Sequence, residues 1–131
     1  MKIETFYRSC IITGAILYIV FWFMPYSYGY YNGDIQSLLS YTGFAAIIEY
    51  SDTASWIVFF MFLFCSFGMY LYRKIFRTAF LLLLIYITSI SSLTGISVFT
   101  GVDVMLNDVT SILDGTVLAM AYFSPIKDKF Y

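Results

Sequence analysis

The chain has 131 residues, of which 61% are hydrophobic and only 11% charged, and its formal net charge is −1. A soluble domain normally carries about 25% charged residues. A water-soluble fold is therefore excluded, and the sequence predicts one integral membrane domain over residues 1–131.

The first predicted element is a membrane span over about residues 9–25. The run from Cys10 to Met24 is almost wholly apolar, and Pro25 closes it. No small-residue cleavage site follows the run, so we expect an uncleaved helix rather than a signal peptide. The tyrosines after the proline predict an aromatic belt at the far membrane interface.

The segment 34–49 is semi-polar and follows the turn signal Asn32-Gly33. Its apolar residues share helical spacing, but the apolar content is too short and too broken to cross a bilayer. We expect a short interfacial or re-entrant helix on the outer surface. An ordinary packed loop is the alternative.

Three further spans are predicted, over about residues 54–72, 78–101 and 109–124. The first two of these are joined by a very short basic turn at 73–77, so they should form an antiparallel hairpin. Asp103 and Asp108 then predict a short outer connection before the last span.

The placement of charge predicts the orientation. All seven lysines and arginines lie on one side of this four-span arrangement, whereas five of the eight acidic residues lie in the outer connections. Cytoplasmic loops carry the excess of Lys and Arg in membrane proteins. The predicted fold is therefore an all-α integral membrane four-helix bundle with both termini in the cytoplasm, and we expect it in a bacterial inner membrane.

Asp114 is the one carboxylate well inside a predicted span. An aspartate at a helix centre costs roughly 2.5–3.5 kcal/mol on insertion scales, so it normally faces the bundle interior or a water-filled cavity. No Lys or Arg lies in any predicted span to pair with it. Together with Thr88, Ser91 and Ser92 it forms the predicted intramembrane polar site. This site could be a structural hydrogen-bonding group, or it could bind a proton, ion, ligand or partner.

Small residues predict where the helices pack. Ser91 and Gly95 form one small-x-x-x-small pair, and Gly115 and Ala119 form another. Such pairs let membrane helices approach closely. We expect the third and fourth spans, which are consecutive, to pack together through these faces.

The outer tyrosines are the exposed surface best suited to contact another protein. Tyrosine combines a large apolar ring with a polar tip and is enriched at protein interfaces. The predicted partner surface comprises Tyr28, Tyr30, Tyr31 and Tyr41.

Several chemistries lack their residues in this sequence. There is no histidine, no phosphate-binding glycine loop and no metal-ligand cluster, and Cys10 and Cys65 form no C-x-x-C pair. We therefore expect no enzymatic activity, no cofactor, no metal and no nucleic-acid partner.

Two functions fit these observations. The first is a small polytopic membrane protein that binds, either as a subunit of a membrane assembly or as an immunity-type protein against a pore-forming toxin. Its partners would be the lipid bilayer and a membrane protein or a second copy of the chain. The alternative is a minimal oligomeric transporter or pore that uses the carboxylate of Asp114.

Overall fold

The computed structural model describes residues 2–40, 46–48, 51–95 and 97–131. Within these residues all secondary structure is helical, and helices account for 84% of them. Four helices are long and apolar enough to cross a membrane. The prediction of an all-helical membrane protein with four spans is confirmed at this level.

Five α-helices and two 3₁₀ helices follow one another along the chain. They are α1 (Ile3–Phe23), a 3₁₀ helix (Met24–Tyr30), α2 (Gly33–Leu39), α3 (Asp52–Tyr70), α4 (Lys74–Leu93), α5 (Gly101–Phe123) and a final 3₁₀ helix (Pro125–Lys129). The short helix α2 falls in the predicted outer segment 34–49. Residues 41–45 and 49 of that segment lie outside the described residues.

Side-chain caps fix where several helices begin. The Asn32 side chain accepts a hydrogen bond from the Ile35 amide at the start of α2, and Ser51 accepts one from Ala54 at the start of α3. These caps satisfy amides that have no partner inside the helix. The helix starts are thus set by local chemistry as well as by hydropathy.

The last two helices differ in their bounds from the sequence prediction. Helix α4 ends at Leu93, and Gly95 follows with φ 90°, a left-handed conformation that glycine adopts easily just after a helix. Helix α5 begins at Gly101 because Thr100 and Asp103 form a reciprocal capping box. The connection is therefore at 94–100, and both Asp103 and Asp108 lie on α5.

The long helices pack as two pairs, α1 with α5 and α3 with α4, joined by a smaller contact of α1 with α3. The expected packing of α4 against α5 is not what the structure shows, since these two helices touch at few positions. Gly14 explains the difference. A Cβ built on it would lie 3.6 Å from Oδ1 of Asp114, so α1 approaches α5 closely there.

Both chain ends and the α3–α4 turn meet at one end of the bundle. Lys129 forms an ion pair with Glu4 at 2.7 Å. The Tyr131 amide donates a hydrogen bond to the Tyr72 carbonyl (2.9 Å), and the Tyr131 carbonyl accepts one from the Lys74 amide (3.0 Å). The bond to Glu4 raises the pKa of Lys129, but both side chains are over 40% exposed, so the pair adds little stability. We call residues 2–8, 71–77 and 125–131 the basic end.

The packed core lies next to the basic end. Its most deeply buried large side chains are Tyr7, Phe62, Met69 and Ile126. Elsewhere the long helices expose many large apolar side chains, as a surface in contact with lipid does. Examples are Ile16, Phe60, Leu82 and Ile112.

Candidate functional site

A cavity of about 1160 Å³ lies between the four long helices. Its walls come from 18–22 of α1, 55–62 of α3, 84–91 of α4 and 104–115 of α5. These are the parts of each helix that lie away from the basic end. The space exists because α4 and α5 do not close against each other.

Asp114 lies at the floor of this cavity. It is only 8% exposed, and beyond it α5 continues into the packed core through Val117 and Ala121. Within the described parts of the chain, no donor and no Lys or Arg makes a hydrogen bond or an ion pair with its carboxylate. Among the described residues, the Asp114 carboxylate therefore has no hydrogen-bond or ion-pair partner where it lines the cavity.

The hydroxyl residues predicted to accompany Asp114 are only partly gathered at the cavity. Thr88 and Ser91 line it, whereas Ser92 does not. Each hydroxyl donates to the carbonyl oxygen four residues earlier on α4, at 2.9 Å for Thr88, 2.8 Å for Ser91 and 3.1 Å for Ser92. Asp114 thus shares a cavity with Thr88 and Ser91 without a direct hydrogen bond to either.

The predicted small packing residues do not join α4 to α5. Gly95 lies in the 94–100 connection and lines the cavity. Gly115 and Ala119 are exposed, and a Cβ built on Gly115 would meet nothing within 4 Å. Their role in helix packing stays a prediction.

The outer tyrosines divide into two groups. Tyr28 is half-buried and donates a hydrogen bond to the carboxylate of Asp103, and Tyr31 lies beside it with ring centroids 6.3 Å apart. Tyr30 is 95% exposed. Tyr41 lies outside the described residues. Of the three described tyrosines of the predicted partner surface, Tyr30 is therefore the most accessible to another protein.

Asp103 is a buried polar centre that the sequence reasoning missed. It is 2% exposed, and Oδ2 accepts bonds from the Tyr28 hydroxyl and from the Thr100 hydroxyl (2.9 Å) and amide (3.2 Å). The pattern Thr100-x-x-Asp103 is a helix-start signature that could have revealed it. Asp103 therefore ties the first 3₁₀ helix to the start of α5.

Replacing Tyr28 with phenylalanine is expected to destabilise the protein by about 1–2 kcal/mol, because the buried carboxylate of Asp103 loses a donor. Unfolding of the purified protein by a denaturing detergent, followed by circular dichroism, measures the change. Tyr31→Phe is the matched control and should have a much smaller effect. Equal losses in the two variants would contradict this assignment of the Tyr28 hydroxyl.

The described residues offer no obvious set of metal ligands. Asp52 and Asp103 line a smaller cavity of about 300 Å³ near the capped start of α5. Among the described residues, no three His, Cys, Asp or Glu side chains come together. Cys10 and Cys65 are both buried and free. Two carboxylates fall short of the ligand sets that hold zinc or calcium in proteins.

The large cavity combines three kinds of surface. Aromatic rings of α1 and α3 form one side, hydroxyl oxygens of α4 and α5 form another, and the carboxylate of Asp114 forms the floor. No family model, curated protein or solved structure matches this chain. What the cavity does must therefore follow from these surfaces, which are suited to binding.

Proposed function

We propose that this protein is a small polytopic component of a membrane assembly that acts by binding a ligand in the cavity between its four long helices. The observation that carries the proposal is the cavity itself, about 1160 Å³ in volume with a single buried carboxylate at its floor. Ligand sites in proteins are mostly apolar clefts of roughly 300–1,000 Å³ with a few placed polar groups.

The cavity is partly open, and its size leaves room for a ligand. Protein interiors are close-packed, and voids much larger than a water molecule are few. Here the walls carry small groups, such as Ser111 and Gly115, where larger side chains would have filled the space. A ligand that occupies the cavity would restore the missing contacts.

Native mass spectrometry of the protein, released from its host membrane in mild detergent, tests the proposal. We expect a small molecule retained at one copy per chain. Gly115→Phe should lose it, because the new ring projects into the open space at Gly115. Ile112→Phe, on an exposed position of the same helix, is the control and should retain it. If wild type and both variants each show only the mass of their own polypeptide, without a retained molecule, a binding role is contradicted.

The outer end supports a second contact, with another membrane protein. Tyr30 and Tyr26 are 95% and 75% exposed there, and tyrosine is favoured at interfaces. A subunit of a larger assembly or an immunity-type protein would use this surface. Co-purification of a stoichiometric partner that is lost in Tyr30→Ala is the expected result. A functional protein without any partner would rule this contact out.

Transport is the second candidate function, and the position of Asp114 favours it. A carboxylate without a described partner, at the floor of an intramembrane cavity, is the kind of group that marks ion and substrate pathways. Flux through reconstituted vesicles that disappears in Asp114→Asn would support an oligomeric transporter or pore. Flux that is absent, or unchanged in the variant, would remove it.

For the orientation, we propose that the basic end faces the cytoplasm of a bacterial inner membrane and that segment 34–49 lies at the outer surface as an interfacial or re-entrant helix. The collection of lysines and arginines at one end supports this. With Cys10 and Cys65 replaced by alanine, an impermeant maleimide should label Tyr30→Cys in intact cells. Lys127→Cys should react only after lysis, and the reverse pattern would invert the orientation.

A further inference from the structure

We infer that the large cavity binds a protonated amine carried on an apolar body, with the ammonium group at Asp114. This inference rests on the proposed role of the cavity as a binding site, and it names the class of ligand. Four features of the described residues lead to it: the isolated carboxylate, the state of the hydroxyl groups, the aromatic wall and the closed floor.

No lysine or arginine of the chain can supply a positive charge at Asp114. All seven lysines and arginines lie within residues 2–8, 73–77 and 127–129, away from the cavity. Several are engaged there, since Arg8 lies over the Tyr70 ring at 4.8 Å and Arg77 lies over the Tyr122 ring at 4.6 Å. An unpaired carboxylate out of water is costly. A ligand that brings one positive charge to Asp114 relieves that cost.

The hydroxyl wall favours a ligand that donates hydrogen bonds. Thr88, Ser91 and Ser111 each give their proton to a backbone carbonyl of their own helix, at 2.8–2.9 Å. A hydroxyl has one proton but two lone pairs, so each of these oxygens can still accept. With the carboxylate, these three hydroxyl oxygens place acceptors on one face of the cavity, which Asn107 and Thr110 also line. An ammonium group, which has several N–H donors and no acceptor, matches this surface, whereas an anion does not.

The opposite wall favours an apolar body with an aromatic ring. Tyr18 and Trp22 of α1 and Phe62 of α3 line the cavity. The ring centroids of Tyr18 and Phe62 are 4.0 Å apart, and those of Tyr18 and Trp22 are 6.4 Å apart. Both pairs are tilted rather than stacked. Aromatic rings that line a site can pack against a ligand ring, and they also attract a nearby cation.

The closed floor favours a small molecule over a helix of a partner protein. A transmembrane helix is 10–12 Å wide and must cross the whole bilayer. Below Asp114 the bundle is tightly packed, because Gly14 brings α1 against α5 at that level. A spanning helix that entered the cavity would be stopped there, while a short amine ends where the carboxylate is.

Isothermal titration of the purified full-length protein with three probes of one shape tests the inference. The probes are 4-phenylbutylamine, 4-phenylbutanol and 4-phenylbutyrate at neutral pH, which carry a positive, a zero and a negative charge. We expect wild type to bind the amine roughly ten- to a hundredfold more tightly than the alcohol, the range for hydrogen bonds to charged groups. 4-Phenylbutyrate should bind most weakly.

Variants of α5 locate the charge that selects the amine. Asp114→Asn should bind the amine no better than the alcohol, and Asp114→Glu should keep the preference. Asp108→Asn removes an exposed carboxylate of the same helix and should behave as wild type. Circular dichroism of each variant shows that the helices are retained.

Four results would overturn the inference. Equal affinity of wild type for the amine and the alcohol, or an unchanged amine preference in Asp114→Asn, would refute the charge pairing while leaving the cavity as a binding site. Absence of binding for all three probes would refute the ligand class. Whether the cavity binds any ligand is tested separately, by native mass spectrometry of the protein released from its host membrane. If a photoreactive group placed at Ser111 cross-links to another protein, a segment of that partner, rather than an amine, occupies the cavity.

Discussion

Replacing Gly68 with alanine is expected to destabilise the protein by about 3 kcal/mol, the upper end for overpacking a filled site. Gly68 lies in α3, and a Cβ built on it would overlap Cγ and Cδ2 of the Phe76 ring and lie 2.7 Å from the Phe76 Cβ. The backbone has little freedom to move away. The Gly68 carbonyl accepts a hydrogen bond from the Arg73 amide at 3.1 Å, which fixes the turn between α3 and α4.

The sign of this effect makes the prediction distinctive. A glycine-to-alanine change inside a helix normally stabilises it by up to about 1 kcal/mol. Gly115→Ala supplies that control, because its new Cβ meets nothing within 4 Å. In detergent-induced unfolding, Gly68→Ala should be less stable than wild type and Gly115→Ala more stable. Adding Phe76→Ala to Gly68→Ala should restore part of the lost stability. Equal stability of Gly68→Ala and Gly115→Ala would disprove this close approach of α3 and α4.

The number of spans could be predicted from the sequence because it depends on long apolar runs, which hydropathy records directly. The ends of helices α4 and α5 near residues 93–101 could not be predicted in this way. Asp103 and Asp108 indicated a loop, because acidic residues are costly in lipid. The structure instead continues α5 through both, with Asp103 held by its own cap and by Tyr28. A local hydrogen-bonding pattern outweighed the average hydropathy there.

The helix pairing and the cavity are further from what a sequence can reveal. Gly14 is one small residue in an apolar run, and nothing in its neighbours indicates that α5 would pack against it. The cavity depends on α5 packing against α1, which is far from it in the chain, rather than against α4. Asp114 stood out because a lone carboxylate in a span is rare. Its lack of a described partner became visible only once the surrounding residues were placed.

Phe130→Ala is expected to lower the free energy of unfolding by about 3–4 kcal/mol, which would make it one of the most destabilising changes at the basic end. The ring is 4% exposed and packs edge-on against Tyr7 and Tyr72, with centroids 6.3 and 5.7 Å away. Tyr72 has φ 57°, a left-handed conformation that costs a non-glycine residue roughly 1–2 kcal/mol. Packing by Phe130 helps to hold Tyr72 in that conformation.

Tyr131→Ala separates the contribution of the buried Phe130 ring from that of the exposed Tyr131 side chain. Tyr131 is 66% exposed, and its side chain contributes mainly a cation–π contact with Arg73 at 4.5 Å. We expect a loss of no more than about 1 kcal/mol in the same unfolding measurement. A loss as large as that of Phe130→Ala would show that this exposed contact, rather than the buried ring, secures the chain end.

Because Phe130 packs at the basic end, away from Asp114, folded Phe130→Ala should also keep the preference for the amine over the alcohol. Stability and binding can then be changed independently.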